Sequence, residues 1–314
     1  MKIKTSYFII GAIVLLVVLT GSVIILLTVF NKPDDQNPTT ESLSQNDPPI
    51  TTEITSTPTT AKSGNKKLIF IHHSTGENWL ADDNGGLGKA LMDEGYFVSD
   101  TNYGWGPSTS SGLGPIGDTT DIGHWWLWFR GSDSSKYLKA LYSESSQNSS
   151  YTRVSSDPSG ENEIIMFKSC FPNSALKGNP NDLIPSINNN SLKGESADSQ
   201  YHTVANAKGI YIDLLEYFET KQDKLFIVVT APPLSDATYA DNARAFNNWL
   251  VNDWLSDYKY ENVTVFDFYD VLTGGSGNTL AYPSGDDHPS QEGNSLATDE
   301  FIIFLNEIYK NWTK

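Results

Sequence analysis

The chain has 314 residues, one cysteine, 21 basic and 38 acidic side chains, and a formal net charge of −17. So acidic a chain is disfavoured as a partner of nucleic acid or of anionic lipid surfaces. Its single cysteine, Cys170, excludes an intrachain disulfide. In chain order, the first predicted element is an uninterrupted apolar run over residues 7–30, preceded by Lys2 and Lys4. The run is long enough to cross a bilayer as a helix, too long for an ordinary signal-peptide core, and followed by no small-residue cleavage site. Residues 1–30 are therefore expected to be an uncleaved signal anchor. The lysines predict a cytoplasmic N-terminus and an exterior remainder. Residues 31–65 are Thr, Ser, Pro, Asp and Asn with hardly an apolar side chain, a composition expected to form a disordered stalk. Residues 66–314 hold 17 basic and 33 acidic residues, a balance of −16, and are long enough to build a core without disulfides. Sequons at Asn148, Asn189, Asn262 and Asn311 suit an exterior glycoprotein.

The stretch Lys66–Gly76 organises the rest of the chain. Leu68-Ile69-Phe70-Ile71 reads as a strand buried on both faces, and it stops at His72-His73-Ser74, with Gly76 permitting a sharp turn. A short helix over Lys89–Glu94, ended by Gly95, leads to a second, weaker strand at Tyr96–Val98. A long Gly/Ser/Thr/Pro-rich loop runs over residues 104–123 and closes on His124-Trp125-Trp126-Leu127-Trp128-Phe129. These aromatics fit either a core plug or a stacking wall for sugar rings, the latter drawing on Trp105, Trp125 and Trp126. After a helix at Ser135–Tyr142 come a third strand at Ile164–Phe167, a helix at Thr203–Thr220 and a fourth strand from Leu225 to Thr230. A helix at Asp241–Asp257, a fifth strand from Val263 and a closing helix at Gly293–Trp312 complete the series. The alternation predicts a parallel sheet with helices on both faces. Leu68–Ile71, Ile164–Phe167, Phe226–Val229 and Val263–Phe266 are expected as its central strands.

In an open α/β sheet, ligands bind at the carboxyl ends of the strands. Three polar clusters fall there or beside the last helix: Ser74, Ser169–Asn173, and Asp286-Asp287-His288. Ester hydrolysis requires a nucleophile, a base, a group orienting the base, and donors for the oxyanion. Ser74 can be the nucleophile and His288 the base, with a neighbouring aspartate, Asp286 or Asp287, as orienter. Backbone N–H groups at Ser74 and at Gly104 or Gly106, together with Asn173, can donate to the oxyanion. His73 is expected to line the substrate pocket.

With these blocks in this order, the chain from Lys66 to Trp312 resembles the SGNH hydrolase superfamily, which includes the GDSL esterases. The family places its serine after the first strand, a glycine after the second, an asparagine after the third, and Asp-x-x-His before the last helix. The positions that match are Ser74, Gly104 or Gly106, Asn173 and His288, and nearness to the family's aspartate favours Asp286 over Asp287 as the orienter of His288. The resemblance implies a three-layer α/β/α sandwich with a flavodoxin-like parallel sheet, no cofactor, no metal, and a small-molecule or polysaccharide ester as substrate. The chain departs from the pattern at three places: His72-His73-Ser74 replaces Gly-Asp-Ser, the third block reads Ser-Cys-Phe-Pro-Asn-Ser, and Gly285 stands three residues before His288. The expectation is an outward-facing, membrane-anchored serine esterase for acyl groups, acetyl among them, on carbohydrates. The alternative is a non-catalytic carbohydrate-binding or adhesion domain on the same fold. A metal site drawn from His72, His73, His124 or His288 with Asp286 or Asp287 lacks the spacing of a helical metal motif, and Cys170 reads as a small buried thiol.

Overall fold

Parallel pairing follows from strands that are apolar on both faces, since only a sheet covered on each side can bury them. The computed structural model describes residues 66–107 and 112–314; the expected anchor and stalk, residues 1–65, lie outside the described residues. Five strands, β1 (Lys66–Ile71), β2 (Tyr96–Thr101), β3 (Ile164–Lys168), β4 (Leu225–Val229) and β5 (Val263–Phe266), form one all-parallel sheet in the order β2-β1-β3-β4-β5. Every residue of β2, β3 and β4 is buried, and in β1 only Lys66 reaches solvent. The order corrects one expectation: Val263–Phe266 is an edge strand, and its middle residues Thr264 and Val265 are half-exposed.

The two-residue period of β1 divides the core. Leu68 and Phe70 face a cluster filled by α1 (Thr75–Leu80), α2 (Leu87–Asp93), α7 (Phe268–Leu272) and α8 (Gln291–Trp312). Ile69 and Ile71 face the other cluster, filled by α3 (Trp125–Phe129), α4 (Ser134–Ser143), α5 (Val204–Phe218) and α6 (Ala240–Asn252). On that side Phe218 stacks on Phe226 with ring centroids 4.2 Å apart, and Phe129 and Phe167 pack against the pair. Among the described residues no helix is long and apolar enough to cross a membrane.

Two helices position the site. Helix α1 carries Trp79, fully buried, whose ring stacks on Phe268 at 4.5 Å and whose Nε1 donates to Thr298 Oγ1 of α8 at 2.9 Å. Helix α8 opens at Ser290, whose hydroxyl accepts from the Gly293 N–H, the capping chemistry that Pro289-Ser290 makes available. Asn84 in the α1–α2 loop accepts from Asn294 Nδ2 at 2.9 Å. The segments after β1 and before α8, far apart in sequence, are thereby tied together. One sequon is excluded: Asn262 is buried, and its amide donates to the carbonyls of Phe218 and Lys221.

Candidate active site

Ser74 follows β1 through a tight turn. The Gly76 N–H donates to the His73 carbonyl at 3.0 Å, and Ser74 has φ 46° and ψ −100°, close to the type II′ form whose first central residue is normally glycine or asparagine. Ser74 is the one non-glycine residue with positive φ among the described residues, a strain of about 1–3 kcal/mol of the kind that collects at functional sites. The turn is pressed onto His72: a Cβ on Gly76 would lie 2.5 Å from His72 Cβ, so only glycine fits.

The strained turn presents the Ser74 hydroxyl to the loop before α8. Ser74 Oγ lies 2.5 Å from His288 Nε2, and His288 Nδ1 lies 3.1 Å from both carboxylate oxygens of Asp286. Asp286 Oδ1 also accepts from the His288 N–H at 2.8 Å and the Ser284 hydroxyl at 3.1 Å. Hydrogen bonds from the His288 backbone and ring hold the Asp286 carboxyl below its ordinary value. Asp287 points elsewhere, accepting from the Ser235 N–H at 2.8 Å. Phe171, after β3, packs edge-on against the His288 ring with centroids 4.9 Å apart. The ends of β1 and β3 are neighbours in the sheet where its order reverses, which is where ligand crevices open in such sheets.

The remaining expected donors are placed less simply. Asn173 is buried; its Oδ1 accepts from the Ile122 N–H, and its Nδ2 donates to Asp121 Oδ1 at 2.6 Å and to the Cys170 carbonyl at 3.2 Å. Both amide protons are thus engaged within the protein. The Gly104 N–H donates to Asp118 Oδ1 at 3.3 Å. Gly106 is half-buried and closely packed, since a Cβ there would lie 2.6 Å from Pro115 Cα. His73 stacks on Tyr103 at 4.9 Å between ring centroids, its Nδ1 3.2 Å from the Tyr103 hydroxyl.

The expected aromatic wall is corrected. Trp125 is fully buried with Nε1 donating to Ser169 Oγ, and Trp105 is buried with Nε1 donating to Glu144 and its ring stacked on Trp128. Both belong to the core, because their N–H groups find partners inside it. Trp126 is half-buried, with Lys193 Nζ 4.8 Å above one face of its ring.

Beneath the turn lie two buried titratable pairs that motif order does not point to. His72 is fully buried and its Nε2 lies 3.2 Å from Asp100 Oδ2, while Nδ1 has no hydrogen-bond partner. Burial pushes the imidazole below its ordinary value, against the pull of Asp100, which favours the neutral ring with Nε2 donating to the carboxylate. Burial would raise the Asp100 carboxyl, but hydrogen bonds from His72, Ser149 and the Asn148 N–H together outweigh it and hold the group below its usual range. A second buried pair, Lys168 and Cys170, lies at the end of β3. Burial pushes the Cys170 thiol up, but the Lys168 ammonium and hydrogen bonds from His73 and Thr75 bring it down to about 6. Thr75 Oγ1 is 3.0 Å from the sulfur. The signal for the first pair was present as Asp100, a charge at the end of the apolar β2. Among the described residues no three His, Cys, Asp or Glu side chains converge as a metal site.

Comparison of the chain with models of known protein families and with characterised proteins finds no match.

Proposed function

We propose that the chain is a serine esterase of the SGNH hydrolase type, its sheet and two helical layers forming the flavodoxin-like three-layer sandwich of that superfamily. The observation that carries this reading is the line Ser74 Oγ–His288 Nε2–Asp286, with contacts of 2.5 and 3.1 Å. A serine hydroxyl is a weak nucleophile near neutral pH and needs a base within hydrogen-bonding reach. His288 meets that requirement, and Asp286 fixes the tautomer that leaves Nε2 free to accept.

In the reaction, Ser74 Oγ bonds to the ester carbonyl carbon while its proton passes to His288 Nε2 and the carbonyl π pair moves onto oxygen. Collapse restores the carbonyl and breaks the bond to the leaving alkoxide, which takes the proton from His288. Water then enters, gives a proton to His288, and attacks the acyl-serine by the same path. Ser74 regains its proton as the acid leaves. No cofactor is needed for these steps.

The substrate class we propose is a short acyl ester, acetyl among them, borne on a carbohydrate or small molecule. The domain would stand outside the cell on the anchor and stalk read from residues 1–65. Burial of Trp105 and Trp125 weighs against the non-catalytic carbohydrate-binding alternative, which depended on those rings. Hydrolysis of 4-nitrophenyl acetate by the full chain tests the reading. Ser74→Ala and His288→Ala should each lower kcat by about 10⁴-fold or more, and the double variant should be little worse. Turnover that persists in Ser74→Ala would refute it.

A further inference from the structure

An oxyanion needs donors besides the Ser74 backbone N–H, and two of the expected ones are occupied. The Asn173 amide is buried and bonded to Asp121 and the Cys170 carbonyl, and the Gly104 N–H is bonded to Asp118. Tyr103 is placed differently. It follows β2, the neighbour of β1, and stands immediately before Gly104. It is 58 % exposed, by far the most open large aromatic near the nucleophile.

Its hydroxyl is nevertheless held: His73 stacks beneath the ring and brings Nδ1 within 3.2 Å of the phenol oxygen. His73 is the residue before Ser74, so the phenol stands beside the turn that carries the nucleophile. Burial raises the phenol above its ordinary value, so the hydroxyl keeps its proton through neutral pH and remains a donor. We propose that Tyr103, positioned by His73, donates the second hydrogen bond to the oxyanion formed at Ser74. As the carbonyl π pair moves onto oxygen, the phenol O–H turns to the oxyanion while His73, stacked on the ring, holds the phenol in place. No proton is transferred by Tyr103; the Ser74 proton still goes to His288. The inference rests on the esterase reading.

The test compares Tyr103→Phe, Tyr103→Ala and His73→Ala in the full chain, with 4-nitrophenyl acetate turnover and the rate of fluorophosphonate labelling as readouts. Removal of one oxyanion donor costs about 10²–10³-fold in kcat. Tyr103→Phe should therefore lower kcat by about 100-fold with KM within about twofold, and slow labelling, because the phosphonyl oxygen occupies the same place. His73→Ala should give a smaller kcat loss, and adding it to Tyr103→Phe should cost little more, since the two act as one unit. Tyr103→Ala should resemble Tyr103→Phe in kcat. A Tyr103→Phe kcat within about threefold of wild type, while Ser74→Ala is inactive, would overturn the assignment and leave the esterase intact. A rise in KM alone would likewise overturn it, marking Tyr103 as a substrate contact. A wild-type chain that neither turns over nor takes the label removes the esterase reading itself, and this inference with it.

Discussion

At the scale of the residue, two carboxylates stand side by side before His288 and take different roles. Asp286 reaches His288 Nδ1 at 3.1 Å, whereas Asp287 accepts from the Ser235 backbone. The loop bends so that Asp286 folds back on the His288 backbone while Asp287 turns to Ser235, and only one of them orients the imidazole. Asp286→Asn should lower kcat, and Asp287→Asn should leave kcat nearly unchanged. The Asp286 side chain is 65 % exposed, so its field is screened. The loss should be about 10- to 100-fold, smaller than the ~10⁴ of a buried triad acid. Steady-state kinetics on the two variants checks this, and equal small effects would remove Asp286 from the line. The resemblance to a known hydrolase pattern pointed at Ser74, Asn173 and His288 through motif order alone. It could not reveal that the Asn173 amide is engaged by Asp121, a residue 52 positions away, because hydrogen-bond partners across loops leave no pattern in sequence.

At the scale of the element, the angle at which α1 leaves β1 decides where Ser74 points. Trp79 fixes that angle by packing on Phe268 and bonding to Thr298 of α8, the helix that follows His288. Trp79→Ala should destabilise the fold by about 3–5 kcal/mol, measured by urea unfolding, and lower kcat beyond the loss of folded protein. A cost under about 1 kcal/mol would show that the site does not hang on this contact. Gly76→Ala should cost about 1–3 kcal/mol through overpacking against His72. Strands β1, β3 and β4 were legible because continuous β-branched and aromatic runs bounded by polar residues have few other readings. Three helices were not. Helix α1 opens on Thr75-Gly76, poor helix formers, and is only six residues long. Helix α3 is Trp-Trp-Leu-Trp-Phe, apolar throughout and hence without a period. Helix α7 begins at Phe268, where the apolar pattern of β5 reads straight on, and it is set apart by Asp267, whose side chain accepts from the Asp270 N–H as a cap.

At the scale of the whole molecule, stability should depend on pH through histidines buried in the neutral state. Burial lowers His72, His124 and His202 below their ordinary 6.5. Between that value and their folded values the unfolded chain binds protons that the native protein does not. The stability these histidines contribute is therefore lost as pH drops below about 6.5 and is fully present above it. Each such histidine contributes a slope of at most about 1.4 kcal/mol per pH unit. Asp267, raised by burial, opposes the trend in a window starting at its ordinary 3.8. Urea midpoints at pH 7.5, 6.0 and 5.0 should decline, and a flat or rising series would contradict the buried neutral assignment. The anchor and stalk proposed from sequence make a separate prediction: the intact chain should stay in the membrane fraction, and protease applied to whole cells should cut first within residues 31–65.

Covalent labelling reads the proposed activation of Ser74 by His288. The full chain should be treated with a fluorophosphonate probe and the modified peptide mapped by mass spectrometry, alongside Ser74→Ala, His288→Ala and His73→Ala. A single label should fall on Ser74, none should appear in Ser74→Ala, and labelling in His288→Ala should be slowed far more than in His73→Ala. Label on another residue, or Ser74 labelled at the wild-type rate without His288, would contradict it.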